Sequence, residues 1–150
     1  MNKFETLYEL VQAEADNLRK HATPAEKSRL NFRTFNPRKT RGCIYGQMTG
    51  NCYENRAAEL IIKCAAKVYL SSAFGIDANQ IYNLNGKPFK INTYRQFEYH
   101  SPIELYVYLN DLANTPEFNE NLLEYIKGDA DVIEINPLLV SEEYFPSFQR

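Results

Sequence analysis

The chain has 150 residues, 44% of them hydrophobic and 24% charged, with a formal net charge of −2. That size and balance fit a single globular domain over 1–150 that closes one hydrophobic core, and they exclude bulk disorder. No run approaches the ~18 uninterrupted apolar residues of a bilayer crossing, and Glu5 and Glu9 interrupt the start where a signal peptide would be apolar, so a cytoplasmic protein with no membrane association is expected.

The first predicted element is a helix running to about His21, because Phe4, Leu7, Tyr8, Val11, Ala15 and Leu18 recur at three- and four-residue steps, with Asn2 as its cap. Thr23-Pro24-Ala25-Glu26 then combines a capping hydroxyl, a proline at the first helical position and a Glu three residues after the cap, which predicts a short helix ending by Leu30. Strands are expected at 31–35 and 43–48. The segment from Cys52 to Phe74 places Arg56, Glu59, Lys63, Lys67 and Ser71 on one narrow stripe and apolar residues elsewhere. A helix apolar over most of its circumference belongs in a core, so 52–74 is expected to be the central helix, capped by Asn51 and closed by Gly75.

Further along, 80–84 and 87–91 flank Asn85-Gly86, a dipeptide suited to a two-residue hairpin turn, and Pro88 puts the second run at an edge. Two more strands are expected at 96–99 and 132–135. Ser101-Pro102-Ile103-Glu104 and Thr115-Pro116 open two late helices ending near Ala113 and Lys127, the second terminated by Gly128 in the left-handed conformation. The resulting expectation is an α+β fold: a central buried helix at about 52–74, three or four outer helices and a small, mainly antiparallel sheet. The tail from Ser141, with Tyr144, Phe145, Pro146 and Phe148, either packs on the core or meets a partner.

Charge is unevenly distributed. From Lys27 to Tyr53 there are six basic residues and no acid, whereas from Glu98 to Glu143 eleven acids face the single base Lys127. A basic stretch interleaved with Phe32, Phe35 and Tyr45 can set cations against phosphates and rings against bases. The same asymmetry also allows the basic stretch to fold against the acidic one and cancel its field.

Within the basic stretch, Gly42, Gly46 and Gly50 lead into the expected central helix at Asn51-Cys52. A helix start carries unpaired N–H groups and positive partial charge, so an anion steered by Arg33, Arg38, Lys39 and Arg41 could be received by the amides of Gly50, Asn51 and Cys52, with Tyr45 alongside. The pattern lacks the Gly-Lys-Ser/Thr ending of a P-loop and the spacing of a dinucleotide fingerprint. Ordinary turn glycines, and a helix start already satisfied by Asn51 and Glu54, would give the same letters.

Three cysteines, Cys43, Cys52 and Cys64, cannot all pair, and their separations of nine and twelve residues match no zinc pattern. With only His21 and His100 as imidazoles, neither a metal nor another cofactor is expected. Cys52 at a helix start would favour thiolate, and His100 could act as its base, which leaves a cysteine-dependent enzyme as a third reading. The leading expectation is a small non-enzymatic module that binds a phosphate-bearing partner, nucleic acid or nucleotide, through 27–53. The rival is a protein-binding adaptor or inhibitor that uses its acidic 98–143 half or its aromatic tail.

Overall fold

In the computed structural model the described residues are 3–65, 81–84, 87–90 and 101–136. Helix α1, Lys3–His21, buries Val11, Ala15 and Leu18 along one stripe, the three- and four-residue spacing read from the sequence. Its last turn holds His21 beside Arg19 and Lys20, two cations that complement the negative end of the helix dipole. Helix α2, Pro24–Ser28, has the expected capping box: the Glu26 amide donates to Thr23 Oγ1 at 3.1 Å and the Thr23 amide to Glu26 Oε1 at 2.9 Å.

The next two segments depart from expectation. Residues 31–35 form a 3-10 turn over Phe32–Thr34, started by Asn31, whose side chain accepts from the Arg33 amide at 2.9 Å. Residues 43–48 are helical rather than extended: α3, Ile44–Thr49, turns Ile44, Tyr45 and Met48 into the core. Helix α4 spans Asn55–Cys64, not 52–74, and it is not central. Its buried residues Ala57, Leu60 and Cys64 make a narrow stripe, and Ala65 (φ −105°, ψ 136°) leaves the helical conformation. Asn51 does not cap it; its side chain accepts instead from the Tyr53 amide at 2.9 Å, closing a local turn ahead of the helix. The expected continuation through 66–74, with Gly75, lies outside the described residues.

Strands β1, Ile81–Leu84, and β2, Lys87–Lys90, pair antiparallel with Ile81 opposite Lys90 and Leu84 opposite Lys87. Among the described residues this two-stranded ribbon is the extent of strand pairing. The expected run at 96–99 and the turn Asn85-Gly86 lie outside them, and 132–135 is irregular.

Helix α5, Pro102–Leu112, begins at Ser101, whose hydroxyl accepts from the Glu104 amide at 3.0 Å. Helix α6, Pro116–Lys127, ends at Gly128 with φ 93°, a value at which a Cβ would be strained. Here lies the centre of the fold. Ile103, Leu105, Tyr106, Val107, Tyr108, Leu109, Asn110 and Ala113 are all buried, with α1 and α6 packed against α5 and the other short helices around them. The α+β expectation is therefore corrected to a helical body, and the central helix is α5. Its tyrosines and asparagine disguise it in the sequence as an outer element; in place, Tyr106 donates to the Glu134 carbonyl at 3.0 Å and Asn110 to Asn119 at 3.1 Å. Buried polar atoms so partnered avoid most of their desolvation cost.

Candidate anion-binding surface

The loop between the 3-10 turn and α3 carries Arg38, Lys39 and Arg41 and is closed on itself. The Asn36 amide donates to the Gly42 carbonyl at 2.9 Å, the Lys39 amide to the Asn36 carbonyl at 3.1 Å, and the Arg38 amide to Asn36 Oδ1 at 2.9 Å. Two further features hold the loop to the body at Thr40. Gly46 of α3 presses so closely that an added Cβ would sit 2.1 Å from the Thr40 carbonyl oxygen. The same oxygen accepts from the Cys52 amide at 2.8 Å. The strand of backbone carrying Lys39 and Arg41 is thus fixed beside the turn that carries Tyr53, a ring 83% exposed.

Each cation of the basic segment has a definite place. Lys27 donates to the Arg19 carbonyl at 2.9 Å and Arg29 to the Met48 carbonyl at 2.7 Å, so both cover carbonyls near helix C-termini. Arg38 meets Asp111 at 3.1 Å and stands over the Tyr108 ring at 5.3 Å, yet the Arg38 and Asp111 side chains remain 50% and 42% exposed. A pair that wet is worth at most about 1 kcal/mol. Arg33, Lys39 and Arg41 are exposed, and among the described residues no carboxylate pairs with them. The mutual neutralisation of basic and acidic halves therefore amounts, among the described residues, to one surface contact.

The backbone part of the expected site is not assembled. The Gly50 amide donates to the Gly46 carbonyl at 2.8 Å, the Cys52 amide to Thr40, the Tyr53 amide to Asn51 and the Glu54 amide to the Asn51 carbonyl at 3.0 Å. Amides so occupied cannot turn to an anion, and Glu54 immediately precedes α4. Tyr45 is fully buried, and its hydroxyl donates to Glu14 Oε2 at 2.5 Å, so its ring is not available for stacking. Tyr53, at a helical step from Ala57 and Leu60, reads in the sequence as part of a buried face. Its place between Asn51 and Glu54, ahead of the helix start, is the signal that separates it.

Burial, then the charge of Glu104, pushes the Cys43 thiol up to about 12 and raises Cys52 as well; burial pushes Cys64 up to about 11. Cys52 does not start a helix, so the expected activation by a helix dipole is absent. His100 lies outside the described residues. Among the described residues no cluster of three His, Cys, Asp or Glu side chains could hold a metal ion, and no helix is long and apolar enough to cross a membrane. Comparison with known proteins gives no match to a family model, a curated protein or a solved structure.

Proposed function

We propose that the protein is a non-enzymatic module that binds a phosphate-bearing partner, single-stranded nucleic acid above all, on the surface formed by Arg33, Lys39, Arg41 and Tyr53. The observation that supports this reading is the Cys52–Thr40 hydrogen bond of 2.8 Å, which holds the backbone of the loop carrying Lys39 and Arg41 beside the turn that carries the exposed Tyr53, while among the described residues no carboxylate pairs with either cation. Cations supply attraction to the backbone of a polyanion, and a ring supplies a face on which a base of any identity can stack. Arg38 joins the surface by exchanging a half-exposed carboxylate for a phosphate, at small cost.

The test compares a labelled single-stranded oligonucleotide with its duplex, by fluorescence anisotropy, on the full chain and on Tyr53→Ala. Preference for the single strand, and a loss of roughly tenfold with Tyr53→Ala, is expected from one stacked base. Equal affinity for strand and duplex, untouched by removal of the ring, would contradict the stacking role. A protein partner is the second reading, because Glu117, Glu120 and Glu124 are exposed along one face of α6. That face would serve a basic partner and predicts no oligonucleotide binding.

A further inference from the structure

A cleft of ≈ 480 Å³ lies between the segment Ser28–Arg33 and helix α6. Its size is within the usual range for small-molecule sites. One wall carries Arg29 and Arg33; the other carries Glu120 and Glu124, four residues apart and so on the same face of α6. Leu123 and Phe32 supply its apolar lining, Leu123 buried and Phe32 half-buried. Lys127 and Asp129, of opposite sign, also line it. Among the described residues no ion pair joins the arginine wall to the glutamate wall. Arg29 uses one N–H on the Met48 carbonyl, and a guanidinium has four more.

Two complementary charge sets that face one another without touching define a dipolar receptor. An anion alone would be drawn to the arginines and repelled by the carboxylates across the gap, and a cation alone would meet the converse. A guest with both charges satisfies both walls at once. We propose that this cleft binds a small zwitterion whose carboxylate or phosphate sits on Arg29 and Arg33, whose ammonium sits between Glu120 and Glu124, and whose short apolar chain crosses Phe32 and Leu123. The arginine fork suits a planar or tetrahedral oxyanion, and a carboxylate pair suits a compact ammonium. The cleft has Arg33 in common with the proposed phosphate surface, whereas Lys39, Arg41 and Tyr53 do not line it.

The backbone-amide NMR spectrum of the full chain, titrated at low salt with γ-aminobutyrate and with ε-aminocaproate, tests this. The expected result is saturable displacement of the Arg33, Glu120 and Glu124 amide signals by at least one of the two amino acids. Caproate and hexylamine, which carry one charge each, should bind about tenfold more weakly, as should the amino acids to the Glu120→Gln/Glu124→Gln double variant. Both substitutions are on exposed positions of α6 and leave the fold intact. The same variant should hold an oligonucleotide as well as or better than the parent, so failure here is distinct from failure of the phosphate reading. Unmoved cleft signals with both amino acids, or equal binding of the singly charged compounds, would overturn the proposal.

Discussion

Glu14 shows how one buried carboxyl organises this molecule. It projects from α1 with 1% of its surface exposed and accepts from Tyr45 of α3 at 2.5 Å, from the Ile103 amide at 2.9 Å and from the Ser101 side chain. It therefore caps α5 from another helix and joins three elements. Burial raises its carboxyl from 4.5 to about 7, and burial, then the charge of Glu14, raises Glu104 to about 7. Between these values the folded chain keeps protons that the unfolded chain has released. Stability from both groups is thus complete below about pH 4.5 and is lost as pH rises to about 7. Glu26 has the opposite sign. Hydrogen bonds from Arg56, at 2.7 and 2.9 Å, hold its carboxyl at about 2, so its contribution is present above 4.5 and is lost as pH falls towards 2. Urea midpoints measured across this range should peak in the mildly acidic region and fall on both sides. Glu14→Gln should flatten the neutral side, and Arg56→Ala should flatten the acid side while costing about 1 to 2 kcal/mol, the Arg56 and Glu26 side chains being 35% and 9% exposed. A midpoint that climbs steadily to neutrality would contradict the buried-carboxyl assignment.

Among the elements, α3 depends most on a close approach. Gly46→Ala would put a Cβ 2.1 Å from the Thr40 carbonyl oxygen and 2.9 Å from its carbon, so backbone must move, at a cost of about 3 kcal/mol. Gly50→Ala meets nothing within 4 Å and is strained by its φ of 101° alone, at about 1 kcal/mol. Chemical denaturation of the two variants should rank them in that order. What the sequence made legible among the elements is what local chemistry decides. The Thr23 capping box, the Ser101 cap and Gly128 at the end of α6 each act within four residues, and each lies where it was expected. What escaped depends on packing. Six residues of α3 are too few for helical periodicity to separate from a buried strand, and their conformation follows from Ile44, Tyr45 and Met48 meeting the core together. The position of α5 was hidden because its polar atoms suggest exposure until their partners are known. Asn110 donates to Asn119 and accepts from Asn136 and Thr115, and Asn136 donates also to the Thr115 hydroxyl, across the α5–α6 connection. Asn119→Leu should leave the Asn110 amide and the Val107 carbonyl without that partner and lower stability by about 2 kcal/mol.

For the molecule as a whole, the division of charge was legible in the sequence and its consequence was not. Eleven acids in the late half could have neutralised the basic segment, yet among the described residues they meet it once, at Arg38 and Asp111. Arg38→Ala should change stability by less than about 1 kcal/mol, since both side chains are half exposed. The candidate site was legible as cations and not as geometry: Arg33, Lys39 and Arg41 are exposed, one of the two outcomes the charge pattern left open, while the amides of Gly50 and Cys52 and the Tyr45 ring serve the fold. Residue type reveals a charge, whereas the availability of an amide is settled by contacts such as Cys52 with Thr40, twelve positions apart.

The most direct test of the proposed phosphate-binding surface is the salt dependence of oligonucleotide affinity, measured by anisotropy for the parent chain and for Lys39→Ala/Arg41→Ala. Affinity should fall linearly with salt on logarithmic axes, and the double variant should bind more weakly, with a slope shallower by about 0.7 for each phosphate that is no longer neutralised. An affinity indifferent to salt, or a slope unchanged when both cations are removed, would contradict it.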